Sequence, residues 1–542
     1  MSFIRPRSRR LLLWLALALC VTTVAGALLQ RENIRAFLYS VTGEDELLPQ
    51  ARGFGHWLSG VTRPQPQTAD FVPIAHNGVN PFGVNTFLNQ EVEDAKVARQ
   101  LDFIQEAGFK WIRQEFPWQD IEIHAKGDFQ DRRNEPYRDA WAKYDRIVEQ
   151  ARARGIQIIA RLSTPPAWSR KDGEARGAFA PPDNLNDYGD FVAAVISRYK
   201  GRVQYYQIWN EPNVYPEWGE QEISPEGYVE LLKVGYARAK QADPQSVILS
   251  APLAPTIELG PRNLNDLLFL QRMYDAGAKD YFDILSTQDY GLWSGPTDRR
   301  MRPRVLNFSR PVYIRDIMVQ NGDEHKAIWA SEVGWNAIPK DHPAFPNFGR
   351  ATDEQVARYL PQAYERAQAE WPWMGMMAYW FFKRASDVEQ GQSWYFFKML
   401  NPNFTPMPVY EAMKRYTHQP PVIYPGYFQE DHWAISAQGD WATAEDSRAV
   451  LGRYRQSARA GDALVFTFQG SALDVVFARG PAGGMARVWV DDGAPVVVNL
   501  NSASEQFGVK TQIATGLPQG AHRVKLEVVS GVVGVDGLIV YP

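Results

Sequence analysis

The chain has 542 residues, enough for two or three domains, and this length excludes a single small one. Hydrophobic residues make up 45% and charged residues 22%, which are ordinary values for a folded protein and exclude wholesale disorder. The net charge of -4 offers no basic excess to a nucleic acid, and the single cysteine, Cys20, excludes disulfides and a cysteine nucleophile from the folded body.

The N-terminal segment, 1–30, predicts export. Four arginines between positions 5 and 10 precede an uncharged apolar run at 11–29, which is typical of a secretory signal. Ala25-Gly26-Ala27 offers a cleavage site, but a bilayer needs about 20 apolar residues, so the run is also compatible with an uncleaved anchor. Both alternatives place the rest of the chain outside the cytoplasmic membrane. The following segment, 31–70, ends in a Pro/Gln/Thr-rich stretch and is predicted to be a linker.

A repeated alternation of amphipathic helices and short apolar strands fills 71–416. Eight strands are predicted, at 81–87, 109–113, 156–162, 203–209, 247–251, 282–286, 327–330 and 375–381. Continuous apolar strands separated by helices indicate a parallel sheet covered on both faces. Eight such units predict a (β/α)8 TIM barrel with long loops. An open doubly wound sheet is the alternative, but the glycine-rich phosphate turn typical of that fold does not follow the first strand.

Beyond a proline-rich boundary the pattern changes to short alternating strands with frequent turns. This region, 420–542, is predicted to be an antiparallel β-sandwich. If aromatic side chains of this domain are exposed, they would bind sugar, and the candidates are Trp433, Trp441 and Trp489. If these side chains are buried, the domain would be a brace, that is, a structural support for the barrel. The scattered placement of these aromatics favours a brace.

Two glutamates occupy the positions where a barrel enzyme keeps its reactive groups, the carboxyl ends of the strands. Glu211 follows the fourth strand in Trp209-Asn210-Glu211-Pro212, and Glu332 follows the seventh in Ala330-Ser331-Glu332-Val333. Cleavage of a glycosidic bond requires two such carboxyl groups, one protonated for the leaving oxygen and one ionised for attack on the anomeric carbon. The spacing therefore predicts a glycosidase.

These motifs resemble the clan of (β/α)8 retaining glycoside hydrolases, and Ile208-Trp209-Asn210-Glu211-Pro212-Asn213 is most similar to family 39, with family 5 second. The resemblance covers about 71–416. It implies that Glu211 is the acid/base and Glu332 the nucleophile. It also implies supporting roles for further residues: Asn210 on the sugar 2-hydroxyl, Arg113 and Tyr290 on the nucleophile, and Trp380 as the floor under the reacting sugar.

The chain departs from that family at Gln288, where relatives often have a histidine, and this departure bears on sugar preference. Trp168 and Trp335 are further candidates for sugar contact, with plain burial as the alternative for each. Glu115 and Asp120 form a reserve carboxylate pair that we interpret as solvated loop charges.

The sequence thus predicts an exported retaining β-glycosidase that hydrolyses an oligo- or polysaccharide through a covalent glycosyl-enzyme intermediate. A catalytically silent glycan-binding protein and a transglycosylase using the same glutamates are the alternatives. We expect no cofactor and no nucleic-acid partner. We also expect no metal, because the histidines lack the spacing of metal ligands. Membrane anchoring through 11–29 and the oligomeric state stay open.

Overall fold

The computed structural model describes residues 30–542, so the predicted signal or anchor at 11–29 lies outside the described residues. Eight parallel strands form the central sheet: β1 (Phe82–Thr86), β2 (Trp111–Glu115), β3 (Gln157–Leu162), β4 (Tyr205–Ile208), β5 (Val247–Leu249), β6 (Leu285–Tyr290), β7 (Ile328–Gly334) and β8 (Met374–Tyr379). Their spatial order is β5-β4-β3-β2-β1-β8-β7-β6. Parallel bridges Leu249↔Ile284 and Leu253↔Thr287 join β5 to β6 and close the ring. The predicted (β/α)8 barrel is confirmed.

The strands lie almost wholly out of solvent because helices cover the outside of the ring and side chains fill its centre. The helices of ten or more residues from the barrel onward are α3 (Asp94–Glu106), α4 (Ala142–Ala153), α5 (Leu185–Tyr199), α6 (Pro225–Ala242), α7 (Asp266–Asp275), α8 (Arg310–Gln320), α9 (Asp353–Glu370) and α10 (Pro408–Thr417). Local signals set their ends. A capping box of Thr352 and Gln355 begins α9, and Gly108, with φ +77°, lies just beyond the end of α3.

The prediction of a linker at 31–70 is wrong for its first part, which forms two helices, α1 (Arg31–Thr42) and α2 (Leu47–Val61). The side of α2 that packs inward is made of Gln50, Gly53 and Gly60, which are buried. Because the fully buried positions of α2 are glycine or polar, the sequence does not show which side of the helix packs against the protein. The two helices are called the N-terminal hairpin below.

The C-terminal region forms the predicted antiparallel sandwich. Its strands are β9 (Gly426–Phe428), β10 (Ser436–Gln438), β11 (Ala442–Glu445), β12 (Arg453–Ser457), β13 (Ala463–Gly470), β14 (Ala472–Arg479), β15 (Met485–Val490), β16 (Val496–Asn499), β17 (Gln506–Ala514), β18 (Gly520–Ser530) and β19 (Val533–Tyr541). One sheet runs β11-β12-β19-β14-β17, with β9 also paired to β19, and the other runs β10-β13-β18-β15-β16. Apolar side chains from both inner faces form a core separate from that of the barrel.

The sandwich is packed directly against the barrel. Trp433 lies edge-on to Phe82 of β1, with ring centroids 5.8 Å apart, and Phe71 stacks on Tyr541 at 5.7 Å. Trp433 therefore belongs to the boundary between the domains, which favours a bracing role. Within residues 30–542, no helix has both the length and the apolar character needed to cross a membrane.

Candidate active site

A cavity of about 750 Å³ opens at the carboxyl ends of the barrel strands, within the range of about 300–1,000 Å³ that ligand pockets occupy. Its wall includes Glu211 from the loop after β4, Glu332 from β7 and Trp380 directly after β8. The barrel thus brings together two carboxyl groups that are far apart in the sequence. This is the end of the barrel at which reactive groups collect.

The Glu332 carboxylate is held at both oxygens. Nη1 of Arg113 donates to Oε1 at 2.8 Å, and the hydroxyl of Tyr290 donates to Oε2 at 2.5 Å. Burial, and then the charge of Glu332, raise the pKa of Tyr290 well above its ordinary value. The tyrosine hydroxyl therefore stays protonated and acts as a hydrogen-bond donor. These two donors fix the plane of the carboxylate in one orientation.

Arg113 is itself fixed by a buried polar layer across the barrel. Its Nε donates to Gln207 at 2.7 Å, and its Nη1 also donates to Asn85 at 2.9 Å. Gln207 in turn donates to the hydroxyls of Ser286 and Ser331. Neither Asn85 nor Gln207 was identified from the sequence. The available signal was their polar character inside strands that are otherwise apolar, at positions facing the barrel centre.

Glu211 lies in a tight loop with unusual backbone geometry. Trp209 and Glu211 both adopt positive φ angles, +75° and +39°, which are uncommon for non-glycine residues. Burial, and then the charges of Glu332 and Glu217, raise the pKa of Glu211 to about 8. Glu211 is therefore protonated at neutral pH, and it shares the cavity with Glu332, whose two oxygens accept hydrogen bonds from Arg113 and Tyr290.

A third carboxyl group, Glu217, also lines the cavity and was missed. Nε1 of Trp209 donates to the Glu217 carbonyl at 2.9 Å, which folds the loop back onto the strand end. Burial raises the pKa of Glu217 to about 7, against the opposing effects of the Arg161 charge and of a hydrogen bond from Asn210. No sequence signal points to this residue, because the path of the loop after β4 brings its side chain to the site.

Asn210 connects this group to the nucleophile side of the cavity. Its Oδ1 accepts a hydrogen bond from Nη2 of Arg113 at 2.8 Å, while its side chain also bonds to Glu217. A chain of contacts thus runs from Glu217 through Asn210 and Arg113 to Glu332. Asn210 lines the cavity and is available to a bound ligand as well.

The interpretation of Glu115 and Asp120 as solvated loop charges is wrong. Glu115 forms an ion pair with Arg161 at 2.6 Å. Burial by itself would raise the pKa of Glu115, but the charge of Arg161 and two hydroxyl donors outweigh burial and lower that pKa. Asp120 accepts from Lys143 and from the hydroxyl of Tyr144, both at 2.6 Å. Both carboxylates line the cavity, whose outer wall is therefore charged and rich in hydrogen-bonding groups.

Trp380 and Gln288 occupy different positions relative to the cavity. Trp380 is half-buried and presents part of its ring to the cavity, edge-on to Phe87. Gln288 is buried beside Glu332 in the β6–β7 register, and neither atom of its amide group has a hydrogen-bond partner among the described residues. Its proximity acts to lower the pKa of Glu211, but its side chain does not form part of the cavity wall.

Two of the predicted sugar-contacting tryptophans do not line this cavity. Trp335 is 1% exposed, donates from Nε1 to the Ser294 carbonyl at 2.7 Å, and packs against Phe308. Trp168 donates to the Glu122 carbonyl at 2.8 Å and lies edge-on to Trp118. Trp335 is therefore buried, whereas Trp168 is half-buried and packs against the core. The indole nitrogens of both residues already have partners within the protein.

No family model matches the chain, and no curated protein matches it. Among solved structures, the chain is similar to a family 39 glycoside hydrolase from the gut symbiont Bacteroides cellulosilyticus WH2, with 19% identity over 84% of this chain and 82% of that one, and a TM-score of 0.48. A monomeric beta-xylosidase from Caulobacter crescentus CB15 shares 14% identity over 85% and 98% of the two chains, with a TM-score of 0.44. A glucosidase from Croceicoccus marinus shares 14% over 85% and 98%, with a TM-score of 0.47.

Family 39, which the sequence motifs resemble, is thus among the matches. The identities and TM-scores are too low to transfer an activity to this chain. The functional argument therefore rests on the geometry of the cavity and on the chemistry of its carboxyl groups.

Proposed function

We propose that this protein is a retaining β-glycoside hydrolase that acts on an oligo- or polysaccharide outside the cytoplasmic membrane. One observation carries the proposal. Glu332, held by Arg113 and Tyr290, shares a cavity with Glu211, whose pKa is raised to about 8. Glycosidic cleavage needs one carboxyl group that holds a proton and a second that attacks, and these two residues suit the two roles.

In the first step, the Glu332 carboxylate attacks the anomeric carbon while Glu211 gives its proton to the departing glycosidic oxygen. The glycosyl group is then an ester of Glu332. In the second step, Glu211 takes a proton from water, the water oxygen attacks the anomeric carbon, and Glu332 leaves as a carboxylate. Two inversions at the same carbon retain the configuration.

The electrostatics of the site favour this change of role. The charge of Glu332 is one of the causes of the raised pKa of Glu211. Esterification of Glu332 removes that charge, so the pKa of Glu211 falls in the intermediate and the group becomes a base when a base is required.

The cavity wall suits a carbohydrate. Trp380 offers an apolar ring face for stacking under a sugar, and Asn210 offers an amide to a hydroxyl. The charged outer wall, with Arg161 and Glu217 among its members, supplies further hydrogen-bonding groups for neighbouring sugar units. The basic start and the apolar run at 11–29 support export, with the chain anchored at the outer face of the membrane.

The decisive experiment measures hydrolysis of a panel of aryl β-glycosides and polysaccharides by the wild type, Glu211→Gln and Glu332→Gln. Glu149→Gln is the control, since Glu149 is an exposed carboxylate of α4 paired with Arg202. We expect activity in the wild type and the control, and a loss of at least about 1,000-fold in both cavity variants. ¹H NMR of the first product should show the β-anomer before mutarotation.

Three results would contradict parts of the proposal. Equal, near-zero rates for all four proteins would identify a glycan-binding protein. An α-anomer as first product would replace the ester mechanism with direct attack by water. Transfer of the glycosyl group to an added sugar in preference to water would identify a transglycosylase that uses the same two glutamates.

A further inference from the structure

The N-terminal hairpin carries large apolar side chains on its outer side. Ile34, Phe37, Leu58 and Val61 are 43%, 50%, 54% and 54% exposed. In a helix that only packs on a domain, such residues face the core. In α2 the fully buried residues are instead Gln50 and two glycines, while Trp57 and Val61 border a cavity beside Arg299 and Trp371 of the barrel.

These exposed residues belong to one patch. The ring of Phe37 lies 6.1 Å from that of Phe54 and 6.3 Å from that of Trp57, so the two helices meet there. Phe54, Leu58 and Val61 follow one another at helical spacing on one side of α2, and Ile34 is one turn before Phe37 on α1. We call Ile34, Phe37, Phe54, Trp57, Leu58 and Val61 the hairpin patch.

The position of the patch in the chain indicates what covers it. The uncharged run at 11–29 ends two residues before α1 begins at Arg31. With a rise of about 1.5 Å per residue, Ile34 and Phe37 lie only about 5 and 9 Å along the helix from that start. If the run spans a bilayer of about 30 Å, this distance places the patch at the depth of the lipid headgroups.

Three arginines and one exposed glutamate, Glu32, give this end of the hairpin a net positive charge, which fits anionic headgroups. Arg31 and Arg63 are exposed and Arg35 is half-buried. In the part of the chain that the structure describes, none of these three arginines forms an ion pair, whereas Glu44 and Asp45 are paired with Arg300 and Arg358. Basic residues beside exposed aromatic and aliphatic side chains are typical of helices that lie in a membrane interface.

We infer that the N-terminal hairpin lies on the membrane surface, with the hairpin patch inserted at the boundary between headgroups and acyl chains. This inference rests on the anchoring proposed above, but not on the hydrolysis. The occupant is a lipid surface that contains anionic headgroups.

The other side of the hairpin fixes the orientation of the active site. The backbone N–H of Gly295, in the loop after β6, donates to the Gly43 carbonyl at 2.7 Å, and the hydroxyl of Tyr39 donates to Gln362 of α9 at 2.7 Å. Asp45 accepts from Arg358 at 2.8 Å. The loop after β6 and the start of α9, which follows β7, belong to the same barrel end as Glu332. A hairpin held on the membrane therefore keeps the catalytic opening at a set orientation to the bilayer.

The test uses the full chain with Cys20→Ser and one new cysteine labelled with a polarity-sensitive fluorophore. Leu58→Cys probes the patch, and Leu268→Cys is the matched control, since Leu268 is an exposed helical leucine of the barrel at 49% exposure. Both proteins are reconstituted in vesicles of phosphatidylethanolamine and phosphatidylglycerol that contain a nitroxide-labelled acyl chain. We expect quenching at least about threefold stronger at position 58 than at 268.

A second variant checks the cause. Phe37→Glu is combined with Leu58→Cys. Because Phe37 is half-exposed, the variant should keep the melting temperature. Quenching at position 58 should fall to the level seen at position 268. Vesicle-bound protein with equal quenching at the two positions overturns the inference while leaving the anchor intact. Shielding of position 58 that depends on protein concentration and not on the lipid nitroxide identifies a second copy of the chain as the occupant. Protein that stays entirely unbound overturns both the anchor and the inference, and hydrolysis of a soluble substrate is scored separately.

Discussion

Removal of the Tyr290 hydroxyl tests how the site holds its nucleophile. Tyr290→Phe deletes the 2.5 Å hydrogen bond to Oε2 of Glu332 and keeps the aromatic ring of this half-buried residue at the end of β6. The bond is charge-assisted and short. Arg113 still binds the other oxygen, so the carboxylate stays in the cavity but loses one of the two donors that orient it.

The expected size follows from that bond. A hydrogen bond to a charged group contributes about 1.5–3 kcal/mol, and about 1.36 kcal/mol corresponds to a factor of ten in rate. We therefore expect kcat/KM for an activated aryl β-glycoside to fall by about 10- to 160-fold, with kcat falling more than KM rises. Because the hydroxyl acts on the reacting carboxylate, pre-steady-state measurement of aglycone release should locate the loss in formation of the glycosyl-enzyme.

Tyr379→Phe is the matched control. Tyr379 is a fully buried tyrosine of β8 in the same barrel, and its hydroxyl has no hydrogen-bond partner among the described residues. The control should keep the wild-type rate, and both variants should keep the wild-type melting temperature to within a few degrees. Equal rates for the wild type and Tyr290→Phe would refute the reasoning, since the hydroxyl would then play no part in holding Glu332.

Four further substitutions test other parts of the site and fold. The pKa of Glu211 is about 8, so kcat/KM of the wild type should decline above about pH 8. The charge of Glu217 contributes to that pKa, so Glu217→Gln should move the decline to lower pH. An unmoved pH profile would contradict the coupling between the two glutamates. Trp335→Phe should lower the melting temperature with KM unchanged, whereas Trp380→Ala should raise KM with little loss of stability, and the reverse pattern would exchange their roles. Gly43→Ala, in a left-handed turn whose new Cβ would lie 2.5 Å from a backbone oxygen, should destabilise the hairpin by about 1–3 kcal/mol, seen as faster proteolysis in this segment; an unchanged cleavage rate would contradict the packing.

The (β/α)8 architecture was predictable because each barrel strand is buried on both faces. Burial of that kind requires a continuous apolar run, and such a run is visible in one sequence. Glu211 and Glu332 were predictable for a related reason. Polar residues that follow such runs lie at the barrel end where catalytic residues are found. Arg113 and Tyr290 followed from the family resemblance, and the structure places both against Glu332.

Tertiary structure alone decided which other side chains meet at that point. Glu217 reaches the cavity because of the path of the loop after β4. Trp335 comes directly after β7, the strand that carries Glu332, but its side chain is buried outside the cavity. Neither outcome has a periodic signal, because loop geometry depends on contacts with distant segments. The N-terminal hairpin escaped prediction for a different reason. The fully buried residues of α2 are Gln50, Gly53 and Gly60, so the burial of large apolar side chains that sequence patterns report is missing at these positions.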